Sequence, residues 1–183
     1  MKILCIGDSN TYGYDPRSYF GSRYPEEVRW TGRLTGHEVI NCGVNGATVP
    51  RDSSRHAGLI RLHEPDLVTV MLGTNDLCSG LSAEETAGRM DAFIGSIMSS
   101  GKKILLISPP LLQPGEWTMD DEALEESQSI GELYKKTASV RGCRFADSAE
   151  WDIDISFDGV HFSPEGHARF AEKLNEILNI ISF

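Results

Sequence analysis

Long apolar runs are missing from this 183-residue chain. No stretch approaches the roughly 18 apolar residues that a membrane-crossing helix needs, so a bilayer span is excluded. Basic residues are scarce: 17 Lys and Arg stand against 27 Asp and Glu, a formal net charge of −10. Nucleic acid and anionic membrane both require a basic surface, so neither is an expected partner, and polyanionic substrates are disfavoured too. Cysteine is sparse as well. Cys5, Cys42, Cys78 and Cys143 form no C-x-x-C pair and sit mostly in or beside apolar runs. Reduced thiols account for them better than a disulfide framework or a zinc site. No leader segment is expected either, since the apolar run after Met1-Lys2 is too short for a signal peptide. A cytoplasmic protein is therefore expected. Repeats, low-complexity tracts and linkers are absent, and with 40% hydrophobic content residues 1–183 are expected to form one domain with a full-sized core.

What is present is an alternation of two patterns. Apolar, strand-like runs occur at Lys2–Ile6, Glu38–Asn41, Leu67–Leu72, Lys103–Ile107 and, more weakly, Cys143–Ala146. Helical patterns separate them at Glu26–Leu34, Ser53–His63, Ala83–Ser100 and Asp121–Val140, and Pro164–Ile180 closes the chain. Strand-then-helix alternation implies a parallel sheet covered by helices on both faces, and nearly continuous apolar strands suit that burial. Local signals mark the helix ends. Ser82 with Glu85 forms a capping-box pattern, and Ser163-Pro164 joins an N-cap to a first-turn proline. Gly101 and Gly142 suit left-handed C-terminal caps. The acidic cluster from Glu116 to Glu126, including Asp120, Asp121, Glu122 and Glu125, reads as the solvated start of a helix.

Chemistry-bearing residues fall just after the strands. The first run ends in Gly7-Asp8-Ser9-Asn10; the second leads to Asn41-Cys42-Gly43-Val44-Asn45-Gly46-Ala47-Thr48, and the third to Gly73-Thr74-Asn75-Asp76. Asp158 and His161 follow the fifth. Open parallel sheets bind ligands outside their strand carboxyl ends, where strand order reverses. In a 2-1-3-4-5 order, Ser9 and Asn75 face each other across that crevice, with Gly46 alongside. Ester cleavage by serine needs a base, an orienter for the base and donors for an oxyanion. His161 can serve as base and Asp158 as orienter. The Ser9 and Gly46 backbone N–H groups and the Asn75 amide can serve as donors.

These four blocks, in this order from Gly7 to His161, resemble those of the SGNH (GDSL-type) hydrolases. Arg29-Trp30-Thr31-Gly32, Met71–Asp76 and Ile107-Ser108-Pro109-Pro110 further resemble the aryl esterase/acyltransferase branch, whose members handle small acyl esters such as acetates. The resemblance implies a flavodoxin-like, three-layer α/β/α sandwich around a five-stranded parallel sheet of order 2-1-3-4-5. It implies no cofactor and no metal, with catalysis by Ser9, Gly46, Asn75, Asp158 and His161. It also leaves a homo-oligomer open, because relatives in that branch often assemble and build part of the pocket that way. Asn10 departs from the family's usual leucine, which bears on pocket shape, so Asn10 and Trp30 are the candidate substrate-binding residues.

Competing readings accompany each position. Ser9 could be only a helix N-cap, Gly43 competes with Gly46 as a turn glycine, and Asn75 or Asp76 could simply cap the next helix. Asp152 and Asp154 rival Asp158, though spacing to His161 favours Asp158. His167 reads as a surface residue of the last helix, and Asp158, His161 and His167 lack the compact pattern of a metal site. Asp8 reads as a brace for the loop around Ser9. Trp30 and Trp117 suit either a pocket wall or packing. The expected activity is hydrolysis of a short acyl ester, most simply acetyl, on a small ester or an acetylated sugar, through an acyl-enzyme, with acyl transfer as a side activity. The alternatives are a thioesterase or lysophospholipase, a carbohydrate O-acetyl esterase, and a non-catalytic binding module.

Overall fold

Alternate residues of the first strand enter two different cores. Leu4 and Ile6 join one, Ile3 and Cys5 the other, as the two-residue period of a strand requires. A computed structural model describes residues 1–18, 20–118 and 121–180. In it, β1 (Lys2–Gly7), β2 (Glu38–Gly43), β3 (Leu67–Met71), β4 (Lys103–Ile107) and β5 (Arg144–Ala146) form a parallel sheet ordered β2-β1-β3-β4-β5. The strand order is the expected one. Six helices accompany it among the described residues: α1 (Ser9–Tyr12), α2 (Ser54–His63), α3 (Thr74–Cys78), α4 (Ala83–Met98), α5 (Asp121–Arg141) and α6 (Pro164–Ile180).

The two cores define a three-layer α/β/α sandwich. On one face Leu4, Ile6, Val68, Val70, Ile104 and Leu106 pack against α2, α4 and α5 through Ile60, Phe93, Ile97, Ile130 and Tyr134. On the other, Ile3, Cys5, Leu105 and Ile107 meet Trp30, Trp151 and the apolar stripe of α6 formed by Phe170, Leu174 and Leu178. That stripe has the i, i+4, i+8 spacing of a helix with one buried face. No described helix is long and apolar enough to cross a membrane.

The expected caps are realised. Ser82 and Glu85 form a reciprocal capping box, the Ser163 hydroxyl accepts the Gly166 N–H at 3.0 Å, and Gly101 and Gly142 take positive φ of +72° and +71°. The acidic start of α5 does more than meet solvent, because the Glu126 carboxylate accepts the Ala83 N–H at 2.5 Å and joins α5 to the start of α4. Asp120 lies outside the described residues.

One predicted helix is not there. Residues 26–34 contain only a 3-10 turn over Trp30–Arg33, after a single turn in which the Pro25 carbonyl accepts the Val28 and Arg29 N–H groups. The chain folds back so sharply that a Cβ on Gly32 would lie 2.1 Å from the Glu26 carbonyl oxygen. The Trp30 indole enters the core and donates to the Asn10 carbonyl at 3.0 Å, a tertiary demand that overrides the helical pattern. Conversely, α3 exists where no helix is expected from the sequence; five residues are too few to show a period.

Phe170 sits at the centre of the α6 face, with ring centroids of Trp30, Trp151 and Phe162 at 4.9, 4.9 and 5.3 Å. Replacing it with alanine is expected to cost about 3–5 kcal/mol, seen as a lower urea midpoint at unchanged slope.

Candidate active site

β1 ends where two strands and a helix crowd together. A Cβ on Gly7 would lie 2.0 Å from Thr11 Oγ1, and one on Gly43 would lie 2.2 Å from the Tyr12 amide nitrogen. Neither position has room for a side chain. Asp8 then caps α1, its Oδ1 accepting the Asn10 N–H at 2.9 Å. Ser9 therefore occupies the first helical position, where the backbone N–H has no intrahelical acceptor.

The loop before α6 delivers the partner groups. Asp158 Oδ1 accepts the Val160 and His161 N–H groups at 3.0 and 2.9 Å. Its Oδ2 lies 2.6 Å from His161 Nδ1, and His161 Nε2 lies 2.9 Å from Ser9 Oγ. A carboxylate at Nδ1 holds the imidazole proton there and leaves Nε2 to accept from the serine hydroxyl. Burial works to raise the Asp158 pKa, but bonds from the His161 ring and the His161 and Val160 amides outweigh it and hold the carboxyl below its ordinary range. The structure thus brings together Ser9, Asp158 and His161 from opposite ends of the chain. Asp152 is an exposed residue with φ of +53°, and Asp154 is bonded to the Ser163 hydroxyl; neither faces His161.

The second strand's loop lies beside them. Gly43 is the last residue of β2, whereas Gly46 sits in the exposed turn beyond it with φ of +71° and open space where a Cβ would project. That conformation suits glycine. Asn75, at the start of α3, donates through Nδ2 to the Ala47 carbonyl at 2.9 Å, which fixes the amide plane and leaves its second N–H available. The next residue grips the same loop: Asp76 Oδ2 accepts the Val49 N–H at 2.8 Å, while Oδ1 takes Arg89 at 3.1 Å. Even so, burial leaves the Asp76 pKa raised, offset in part by those two bonds.

Two candidate substrate-binding residues are corrected by their burial. Trp30 is 1% exposed, packed in the core against Phe170. Asn10 is 2% exposed, and its amide is committed to the main chain of the His161 loop. His167 is also corrected, because it is a fully buried residue rather than a surface one. Its Nδ1 accepts the Trp30 N–H at 3.4 Å, and burial pushes its pKa down to about 3. The side chains beside His161 are instead Tyr14 and Trp117, with ring centroids 4.6 and 5.1 Å from the imidazole. Tyr14 was missed because it lies in an irregular segment without a motif. No described group of three or more His, Cys, Asp or Glu side chains is placed to hold a metal ion.

The sequence matches the GDSL-like Lipase/Acylhydrolase family over residues 5–169. The chain belongs to that family. An arylesterase of Vibrio mimicus is 26% identical over 190 residues, spanning 93% of this chain and 84% of that protein. The structure of an M. smegmatis aryl esterase superposes with a TM-score of 0.87 at 27% identity, covering 97% of this chain and 98% of that one. A carbohydrate acetylesterase structure from Sinorhizobium meliloti gives a TM-score of 0.85 at 28% identity, with coverage of 97% and 98%. This GDSL-family chain is accordingly a carboxylic ester hydrolase.

The segment Gly7-Asp8-Ser9-Asn10 itself holds a buried acid. Burial raises the Asp8 pKa from 3.8 to about 6, against the opposing pull of the Asn10 N–H and nearby His161. An acid whose pKa rises on folding stabilises the fold while protonated, so this contribution is complete below 3.8 and lost as pH climbs through about 6. Asp8→Asn keeps an acceptor for the Asn10 N–H and carries no charge. Its stability relative to wild type, from urea unfolding, is expected to grow by about 2–3 kcal/mol between pH 4 and pH 7. The buried neutral His167 acts in the opposite sense, losing stability as pH falls, and cancels in that difference.

Proposed function

We propose that this hydrolase cleaves short-chain acyl esters, acetyl above all, through an acyl-enzyme on Ser9. The observation that carries the reading is the Ser9 Oγ to His161 Nε2 distance of 2.9 Å, with Asp158 on the other ring nitrogen. Ser9 attacks the ester carbonyl carbon as His161 takes the hydroxyl proton. The resulting oxyanion is met by the Ser9 and Gly46 N–H groups and the free Asn75 amide N–H. The imidazolium then protonates the departing alcohol, leaving the acyl group on Ser9. Water attacks that ester carbon as His161 takes its proton, and the imidazolium returns the proton to Ser9 Oγ as the Oγ–acyl bond breaks and the acid is released.

The short-acyl preference is supported by the likeness to an arylesterase and to a carbohydrate acetylesterase. On the alcohol side, Tyr14 and the half-exposed Trp117 offer ring faces beside His161. Such faces stack equally well on an aryl group or on the C–H face of a sugar. The second reading, carbohydrate O-acetyl hydrolysis, rests on that same platform and on the acetylesterase likeness. Acyl transfer needs only an alcohol that outcompetes water at the acyl-enzyme. The cytoplasmic location proposed with this reading fits four free thiols, Cys5 buried among them.

Turnover of p-nitrophenyl acetate is expected to exceed that of the decanoate, and equal rates would exclude the short-acyl preference. Covalent labelling by a fluorophosphonate should vanish in Ser9→Ala. Asn75→Ala should lower kcat by about 10²–10³-fold with little change in KM, as loss of one oxyanion donor does. Acetate released from acetylated xylan, and ester product formed from an added alcohol in wet buffer, distinguish the sugar and transfer readings.

A further inference from the structure

The residue after the nucleophile does something its buried position alone does not explain. Asn10 points away from the cleft. Its Oδ1 accepts the Phe162 N–H at 2.9 Å, and its Nδ2 donates to the Val160 carbonyl at 3.1 Å. Both peptide neighbours of His161 are therefore held by one side chain, which is itself rigidly joined to Ser9. The Asn10 backbone is equally committed: its N–H goes to Asp8, and its carbonyl receives the Trp30 indole N–H. Trp30 in turn donates its own N–H to His167, in the first turn of α6. The helix that follows the base, the turn at Trp30 and the nucleophile are thus tied at a single residue.

We propose that Asn10 is a positioning residue that sets the distance between Ser9 and His161. The proposal rests on the reading of those two as nucleophile and base. A primary amide is suited to the task because it carries an acceptor and a donor side by side in one plane. The two loop groups it satisfies are buried, so they cannot turn to water as a substitute. Leucine fills a similar volume but offers neither bond. The His161 loop then keeps Asp158, its own turns and the bonds that Gln113, Glu116 and Trp117 make to residues 157–159. It loses both ties that join it to the residue after Ser9, and would sample longer Ser9–His161 separations. Small displacements of this kind are amplified in rate, since proton transfer needs near-contact geometry.

Two variants test this. Asn10→Leu is expected to lower kcat for p-nitrophenyl acetate, and the second-order rate of fluorophosphonate inactivation, by about 10–100-fold. KM should stay within about twofold, because Asn10 touches no substrate. Asn10→Asp supplies a readout that mere support of the fold would not move. Protonated, the introduced carboxyl has an O–H for the Val160 carbonyl and a C=O for the Phe162 N–H, as the amide has; ionised, it sets a negative oxygen against that carbonyl. The charged and titratable groups around it are Asp8 on its own element, Asp158 and His161 on the facing loop, and His167 on α6. The ratio of Asn10→Asp to wild-type kcat should therefore rise as pH falls, dividing out the shared titration of the catalytic groups.

A folded Asn10→Leu with both rates within about twofold of wild type would overturn the proposal. Should that variant fail to fold, a pH-independent ratio for Asn10→Asp would overturn it equally. A wild-type enzyme that resists fluorophosphonate, or a Ser9→Ala variant that keeps its activity, would remove the nucleophile reading beneath it. Normal labelling of wild type with unaffected Asn10 variants would remove only the positioning role.

Discussion

Parallel pairing in register carries the site. Gly7 stands opposite Gly43 on one side and Met71 on the other, so β1, β2 and β3 finish at the same level. Three loops then begin along one edge of the sheet, and the residues that follow each strand have nowhere else to go. Parallel strands make such an edge because every chain direction is shared and the carboxyl ends coincide. The absent side chains at Gly7 and Gly43 let α1 settle against that edge. Ser9 and the Gly46 turn are neighbours as a consequence of sheet geometry, not of any attraction between them.

Around that edge the protein buries polar groups and satisfies most of them. Asp158 receives three hydrogen bonds, and Asp76 joins the Gly46 loop to Arg89. A buried carboxylate with all its partners holds a loop in one arrangement, and losing one partner leaves an uncompensated charge. Among the groups held at odds with solution chemistry are Asp8 with a raised pKa and His167 kept neutral with Nε2 unpartnered. Both lie within the set of contacts joining the nucleophile turn to α6. Their strain is tolerated because the aromatic packing around Phe170 and Phe162 supports the same region.

The aromatic groups between the α6 face and the imidazole divide into two sets with different duties. Trp30, Phe162, Phe170 and Trp151 are interior and hold the α6 layer to the sheet. Tyr14 and Trp117 stand at the imidazole and meet solvent. Trp117 is anchored by its backbone, which donates to the Asp158 carbonyl at 3.0 Å. The loop before α5 is thereby fastened to the loop that carries the base, and Gly115 approaches so near that a Cβ there would lie 2.3 Å from the Asp158 carbonyl carbon.

The layered architecture and the helix caps were legible in the residues, because each depends on local periodicity or on one side chain meeting nearby backbone; the strand order, a non-local property, came with the family resemblance. The proposed roles of Ser9, Gly46, Asn75, Asp158 and His161 rest on motif blocks whose order matches the strand ends; the contacts among Ser9, His161 and Asp158 agree with their part of it. Residues 26–34 were misread, since a helical spacing of apolar residues cannot reveal that Trp30 is pulled inward by Asn10 and His167. Asn10, Trp30 and His167 were misassigned for the same reason: each finds its partner on another segment, Asn10 and His167 across more than a hundred residues. The chain by itself determined which groups could do chemistry and on which loops they ride. Only the tertiary structure decided which polar side chains face the cleft and which are spent holding it together, because burial and hydrogen-bond partners are properties of packed neighbours and not of sequence spacing.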